Sequence, residues 1–81
     1  MKLPRDIGGS ELAGLLVNYG YVQDHQTGSH IRITSNIMNI EHHLTIPDHN
    51  PIKIGTLNGI LNEVAGYLKK DKKELIKELF E

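Results

Sequence analysis

The sequence predicts an α+β domain in which helices cover one face of a three-stranded antiparallel sheet. Apolar residues recur at helical spacing in the first quarter and the last third of the chain, short alternating segments lie between them, and turns separate the segments. The predicted order is α-β-β-β-α followed by a C-terminal helix, which leaves one sheet face open. At 81 residues, the chain is expected to form a single domain over residues 1–81 with a small core.

The first helix is predicted over residues 10–19. Ser10 is expected to cap its start, and Glu11 is well placed at the positive end of the helix dipole. Gly20 is expected to end the helix. The apolar face consists of Leu12, Leu15, Leu16 and Tyr19.

The first two strands are predicted over residues 21–26 and 30–34, with a tight turn between them. Gly28 and Ser29 are the central residues of this turn. Because glycine occupies the first central position, a two-residue type II′ turn is expected.

The length of the turn sets the register of the two strands. A two-residue turn pairs His25 with Arg32 and Gln23 with Thr34, and it places Val22 on the core face. A three-residue loop would pair Val22 with Thr34 instead. The hydrophobic pattern favours the two-residue turn, because Val22, the apolar member of the first strand, then faces the core.

The third strand is predicted over residues 41–46 and ended by Pro47. Leu44 and Ile46 are expected to face inward, as are the isoleucines of the second strand, and this places His42 inside as well. The opposite face then carries an unusual number of titratable and cationic side chains for so small a surface. Its residues are His25, His30, Arg32, His43 and Thr45.

Two helices follow the sheet. Thr56 is expected to cap the second helix, and Asp71 with Glu74 forms a capping-box pattern at the start of the last one. The second helix should cover the inner face of the sheet, and the last is expected to seal the core rather than dock onto a partner. Their apolar positions are Leu57, Ile60, Leu61, Val64, Ala65 and Leu68, then Leu75, Ile76, Leu79 and Phe80.

Composition narrows the class of function. The chain has no cysteine, so disulfides and thiolate metal sites are excluded. No segment approaches the roughly 18 apolar residues of a membrane span, and no apolar run near the start is typical of a signal sequence, so we expect a cytoplasmic protein without a membrane partner. The formal net charge is -1, so any nucleic acid would have to bind a local basic patch.

Several segments together carry a family likeness: residues 2–6, the Gly20-Tyr21 pair, residues 26–32, residues 42–49 and residues 53–57. The most specific piece is the glycine-serine-histidine turn, followed by a histidine-rich strand that ends in proline with a histidine close by. With these segments the chain resembles the HicA toxin family of toxin–antitoxin systems over nearly its whole length.

The resemblance implies a fold similar to double-stranded-RNA-binding domains, an activity that cleaves mRNA, and a HicB-type antitoxin as partner. His30 matches the catalytic histidine of the family, and Gly28 and Ser29 match the turn that presents it. His49 matches a histidine after the third strand, to which we assign no chemical role. The chain departs from the family where Asp24 and His25 precede Gln26, since many relatives carry a basic residue just before the glutamine.

A histidine on an open face suits RNA cleavage. RNA supplies its own nucleophile, the 2′-hydroxyl, so cleavage needs no metal or other cofactor if a base removes its proton and the charge of the phosphorane is stabilised. His30 would be that base, or the acid that protonates the leaving oxygen, and Arg32 on the same face would hold a phosphate. His42 and His43 are adjacent on a strand and point to opposite faces, which argues against a metal site; we expect His42 to be structural.

One basic cluster stands out: Lys69, Lys70, Lys72 and Lys73. It has two interpretations, a solvated junction between helices and a patch that contacts RNA phosphates.

Two alternatives to a nuclease also remain open. One is an RNA-binding module without catalysis, and the other is a protein-interaction domain that binds the antitoxin alone.

Overall fold

The computed structural model describes residues 3–81; Met1 and Lys2, which belong to the predicted domain and to the first segment of the family likeness, lie outside the described residues. The predicted order of elements is confirmed. A short 3-10 helix, Val17–Tyr19, follows the first α-helix directly. The other elements are α1 (Gly9–Leu16), β1 (Val22–Thr27), β2 (His30–Ser35), β3 (His42–Pro47), α2 (Ile54–Leu68) and α3 (Lys72–Phe80).

The sheet is an antiparallel meander in the order β1-β2-β3. In the central strand, Ile31 and Ile33 are buried. Arg32 between them and His30 before them are exposed. Ile31 pairs with Ile46, and Ile33 pairs with Leu44, so β2 and β3 present one continuous apolar face. This alternation confirms the predicted inner and outer faces of the two strands.

Helices α1 and α2 pack on the apolar face of the sheet, and α3 packs on α2. The last helix seals the core, as predicted, because three of its side chains are buried in the same cluster as the sheet residues. The buried helical residues of this cluster include Leu12, Leu16, Leu57, Ile60, Leu61, Val64, Leu75, Ile76 and Leu79.

A bulge in β1 corrects the predicted register. His25 pairs with Arg32 as expected, but Asp24 is an extra residue, so Gln23 pairs with Ile33 instead of with Thr34. Val22 therefore turns to the outer side of the sheet, where 65% of it is exposed, and its predicted place in the core is wrong. The bulge keeps the two-residue turn and shifts the register on its far side by one residue.

The N-caps predicted for α1 and α2 are both wrong. Helix α1 starts one residue earlier than predicted, with Gly8 as its N-cap, and the Glu11 carboxylate accepts a hydrogen bond from the Gly8 amide at 3.4 Å. Helix α2 begins at Ile54, with Lys53 as its N-cap, so Thr56 lies inside it. Ser10 also lies inside its helix, and its hydroxyl is used elsewhere.

The start of the last helix and the end of the first agree better with prediction. Asp71 caps α3, although it accepts from the Lys73 amide at 2.8 Å rather than from that of Glu74 as a capping box requires. After the 3-10 turn, Gly20 takes a left-handed conformation with φ of 85° and ends the first helical segment, as predicted.

A polar contact ties the first helical segment to α3. The Tyr19 hydroxyl donates to Glu78 Oε1 at 2.6 Å, and Lys70 Nζ lies 2.9 Å from Glu78 Oε2. Burial and the neighbouring carboxylate raise the pKa of Tyr19 to about 12. Hydrogen bonds from Tyr19 and Lys70 lower the pKa of the Glu78 carboxyl below its ordinary value of 4.5.

Among the helices of residues 3–81, none combines the length and the apolar character that a membrane span needs.

Gly9 is the position where the chain passes closest to another backbone. A Cβ atom at Gly9 would overlap the Pro47 carbonyl oxygen and lie 2.9 Å from Asp48 Cα. We therefore expect Gly9→Ala to lower the free energy of unfolding by about 1–3 kcal/mol. Gly14→Ala is the matched control in the same helix: nothing lies within 4 Å of its Cβ position, so this variant should gain up to about 1 kcal/mol. Urea denaturation measures both, and equal signs would contradict the close approach.

The lowered pKa of Glu78 predicts a pH-dependent contribution to stability. Because the folded-state pKa is depressed, the ionised carboxylate stabilises the fold above the unfolded-state value of 4.5 and loses this effect as the pH falls through the folded-state value. Glu78→Gln should therefore be less stable than the wild type at neutral pH and approach it in acid. Denaturation midpoints between pH 7 and pH 2 test this, with Glu81→Gln as control; a difference that persists in acid would refute it.

Candidate functional site

The turn between β1 and β2 presents His30 at the first position of the central strand. Gly28 has a φ of 56°, and Ser29 is not among the residues with positive φ, which is the pattern of the expected type II′ turn. Thr27 and His30 close the ladder on either side of the turn. The segment just after β3 also holds the turn, since the Asp48 amide donates to the Ser29 carbonyl at 2.6 Å.

Asp48 also fastens this turn with its side chain. One carboxylate oxygen accepts from the Ser10 hydroxyl at 2.9 Å, and the other accepts from Gln26 Nε2 at 3.1 Å. The Gln26 amide donates in addition to the Gly28 carbonyl, at 3.3 Å. Asp48 thus joins the start of α1, the end of β3 and the turn before His30. Sequence reasoning missed this role, since the interacting residues lie 38 and 22 positions away.

The outer face of the sheet brings together the residues that alternation assigned to it. His25 lies opposite Arg32, and Arg32 lies opposite Thr45 on its other side. Residues directly opposite each other have Cβ atoms about 4.5–5.5 Å apart. Both histidines near the turn, His25 and His30, are exposed on this face. We call the set His25, Thr27, His30 and Arg32 the histidine face.

Two features of the histidine face bear on its chemistry. The Thr27 hydroxyl lies 2.7 Å from His25 Nε2, which orients that imidazole. Within residues 3–81, no carboxylate lies within ion-pair distance of the Arg32 guanidinium. An exposed cation without a carboxylate beside it is available to an anion from solution.

The other end of the outer face is occupied by a hydrogen-bonded network. The Thr34 hydroxyl donates to the carboxylate of Asp24, the bulge residue, and lies 2.8 Å from His43 Nδ1. His43 Nε2 lies 3.0 Å from Glu41 Oε1. Both ring nitrogens of His43 therefore have hydrogen-bond partners, and this histidine stabilises the edge of the outer face.

The structural role predicted for His42 is confirmed. Its Nδ1 lies 2.7 Å from the Tyr21 hydroxyl, and its ring stacks on Tyr67 with a centroid distance of 4.6 Å. Burial raises the pKa of the Tyr21 hydroxyl, so this group remains protonated. Tyr67 in turn donates to the Ile40 carbonyl at 2.6 Å and fixes the loop before β3.

The structure does not bring the lysine cluster together with the histidine face. Lys69, Lys70, Lys72 and Lys73 lie at the junction of α2 and α3, in the helical layer. Two of the four have partners: Lys70 binds Glu78, and Lys72 donates to Asn58. A shallow surface depression at the start of α3, lined by Asp71, Lys73, Glu74 and Lys77, lies in this region as well.

The remaining histidine, His49, is exposed in the segment after β3, where its backbone carbonyl accepts from the Gly9 amide at 3.0 Å. In the part of the chain from residue 3 onward, no three side chains of histidine, aspartate or glutamate are grouped so as to hold a metal ion.

Comparison with known protein families gives a match. The sequence model of a family described as "HicA toxin of bacterial toxin-antitoxin" matches residues 9–66. The matched region contains the whole histidine face and Asp48, and it ends before the lysine cluster and α3. No curated protein and no solved structure shows a significant match to the chain.

The contacts of Asp48 predict that its carboxylate stabilises the turn before His30. Asp48→Ala should lower the free energy of unfolding by about 1 kcal/mol, because two exposed hydrogen bonds are lost. The amide of residue 48 should also exchange with deuterium faster, since its bond to the Ser29 carbonyl is less protected. Asp6→Ala, at an exposed position outside the helices and strands, is the control. An unchanged exchange rate in Asp48→Ala would show that the turn holds without the carboxylate.

Proposed function

The chain belongs to the HicA toxin family of bacterial toxin–antitoxin systems, and we propose that it is an endoribonuclease that cleaves mRNA through His30 and is inhibited by a HicB-type antitoxin. One observation carries the proposal. His30 is exposed at the start of the central strand, on the sheet face that the helices leave uncovered, with Arg32 on the same face.

The reaction needs two proton transfers and stabilisation of negative charge. The 2′-oxygen attacks the adjacent phosphorus as a base takes its proton, and the bond from phosphorus to the 5′-oxygen breaks as that oxygen is protonated. The products are a 2′,3′-cyclic phosphate and a 5′-hydroxyl end. An imidazole with an ordinary pKa near 6.5 performs either transfer at neutral pH. His30 would perform one of them, and this chemistry requires no metal ion.

Arg32 and the glycine turn would position the phosphate. The planar guanidinium binds two phosphate oxygens at once and stabilises the charge of the transition state. At Gly28, nothing lies within 4 Å of the position a Cβ would take. The backbone of Gly28 is therefore open to close approach by the sugar-phosphate chain. RNA would be recognised mainly by its shape and backbone, and its 2′-hydroxyls would distinguish it from DNA.

The lysine cluster would have a separate, electrostatic part in binding. Since Lys69, Lys70, Lys72 and Lys73 lie in the helical layer, they would contact phosphates of the RNA beyond the one that is cleaved. Such contacts raise affinity in a salt-dependent way and leave the chemical step unchanged. They would also compensate for the formal net charge of -1.

The antitoxin would act by covering the histidine face. An inhibitor that masks this surface prevents RNA from reaching His30 and Arg32 together, which is the simplest way to neutralise such a toxin. The exposed polar side chains of the outer face would then lie in the interface, with Arg32 available to an acidic group of the antitoxin.

The proposal predicts that His30 is required for cleavage and that divalent metal ions are not. Purified protein free of its partner should cleave a structured mRNA in excess EDTA, and His30→Ala should cut about 10²–10⁴-fold more slowly, the range usual for a lost acid or base. Because His30 is exposed, the variant should fold normally. Gln23→Ala, at another exposed position in the neighbouring strand, is the control for general damage.

Three outcomes would contradict the proposal. Full activity of His30→Ala would remove this residue from the mechanism. RNA that is bound in a gel shift but left intact by the wild type would favour a binding module without catalysis. A wild-type chain that binds antitoxin but neither binds nor cleaves RNA would favour a protein-interaction domain.

A further inference from the structure

We propose that His25 is a second catalytic residue, which shares the two proton transfers of RNA cleavage with His30. The inference rests on the proposed nuclease function and deepens it, since it names the group that performs the second transfer.

The strand register places the two histidines side by side. Thr27 is opposite His30, and His25 is opposite Arg32, so His25 and His30 are diagonal neighbours on one face of the β1–β2 pair. Diagonal neighbours in an antiparallel pair lie about 7–8 Å apart, with their Cβ atoms somewhat closer, which is within reach of long and aromatic side chains. Two imidazoles at this separation leave room for one phosphate group between them, with the Arg32 guanidinium beside it.

Hydrogen bonding holds His25 in this position and leaves it usable. The Thr27 hydroxyl, which lies 2.7 Å from His25 Nε2, belongs to the residue directly opposite His30. His25 Nδ1 has no hydrogen-bond partner among residues 3–81. One nitrogen therefore orients the ring, and the other is open to a substrate.

The other histidines are not placed for this role. His42 faces the inner side of the sheet and binds Tyr21. Both nitrogens of His43 are engaged by Thr34 and Glu41. His49 lies beyond the sheet, in the segment that follows β3. His25 is the imidazole that shares both the face and the end of the sheet with His30.

The two imidazoles divide the reaction. One, in its neutral form, takes the proton of the 2′-hydroxyl as the bond from that oxygen to phosphorus forms. The other, as the imidazolium, gives its proton to the 5′-oxygen as the bond from phosphorus to that oxygen breaks. Each imidazole ends in the protonation state in which the other began, and exchange with water restores the pair. Arg32 neutralises the charge of the phosphorane throughout.

A pair of this kind gives a bell-shaped dependence of kcat/KM on pH, because one group must be neutral and the other protonated. The titratable and charged groups around His25 are few. Arg32 faces it from β2, His30 lies diagonally from it, and Asp24 precedes it on its own strand and binds Thr34. The helices of residues 3–81 pack on the opposite, apolar face of the sheet, and β1 is an edge strand.

The test compares His25→Gln with His30→Ala in cleavage of a short RNA with one scissile phosphate. Glutamine keeps a polar group that can bond to Thr27 but cannot transfer a proton near neutral pH. We expect His25→Gln to lower kcat by about 10²–10⁴-fold, to leave the RNA dissociation constant in a gel shift within about twofold of the wild type, and to lose one limb of the pH profile. Gln23→Ala should keep both limbs.

A second substrate, with sulfur in place of the 5′-oxygen, assigns the two roles. Sulfur leaves without protonation, so the variant that lacks the acid should recover on this substrate and the variant that lacks the base should not. Equal behaviour of the two variants on it would overturn the division of labour.

The outcomes separate the inference from the function on which it rests. If His25→Gln keeps the wild-type rate and both limbs while His30→Ala is inactive, the inference fails and the nuclease proposal stands. If His25→Gln weakens RNA binding and leaves kcat unchanged, His25 is a binding residue and the inference fails again. If the wild-type protein does not cleave RNA, both are wrong.

Discussion

Burial of Ile31 and Ile33 on one side of the central strand is the constraint on which the rest of the structure depends. Side chains alternate along a strand, so burying these two directs His30 and Arg32 to the opposite side. A slip of one residue in the strand register would exchange the two pairs, and it would place His30 and Arg32 in the core. The same hydrophobic term that stabilises this small domain thus creates its polar face, and helices α1 and α2 cover only the apolar side.

Polar contacts then hold both ends of that face. At the turn, Asp48 links the start of α1 to Gln26 and to the backbone of Ser29. At the far end, Thr34 lies between Asp24 and His43 and is only 8% exposed as a result. A surface bounded by such contacts is preorganised, because the residues between its ends are carried by a paired backbone rather than by a flexible loop. This favours chemistry that depends on fixed distances.

The family match and the core do not have the same extent. The match ends at residue 66, whereas Leu75 and Leu79 of α3 are buried in the same cluster as the sheet residues. The last helix therefore belongs physically to the domain, tied to it further by the contact between Tyr19 and Glu78. It also carries part of the lysine cluster, so the positive charge of the chain is concentrated away from the histidine face. Under the proposed function, RNA binding and RNA cleavage would use different surfaces of the molecule.

The local sequence pattern by itself determined the order of the elements, the faces of β2 and β3, the glycine turn and the inward position of His42. This was possible because alternation, helical spacing and turn chemistry are properties of neighbouring residues. Only the tertiary structure decided the bulge at Asp24, the exposure of Val22 and the use of Ser10 to bind Asp48 instead of capping a helix. The physical reason is the same in each case. A side chain with several possible hydrogen-bond partners selects one that the fold brings close, and partners separated by 10 to 38 positions leave no trace in local spacing.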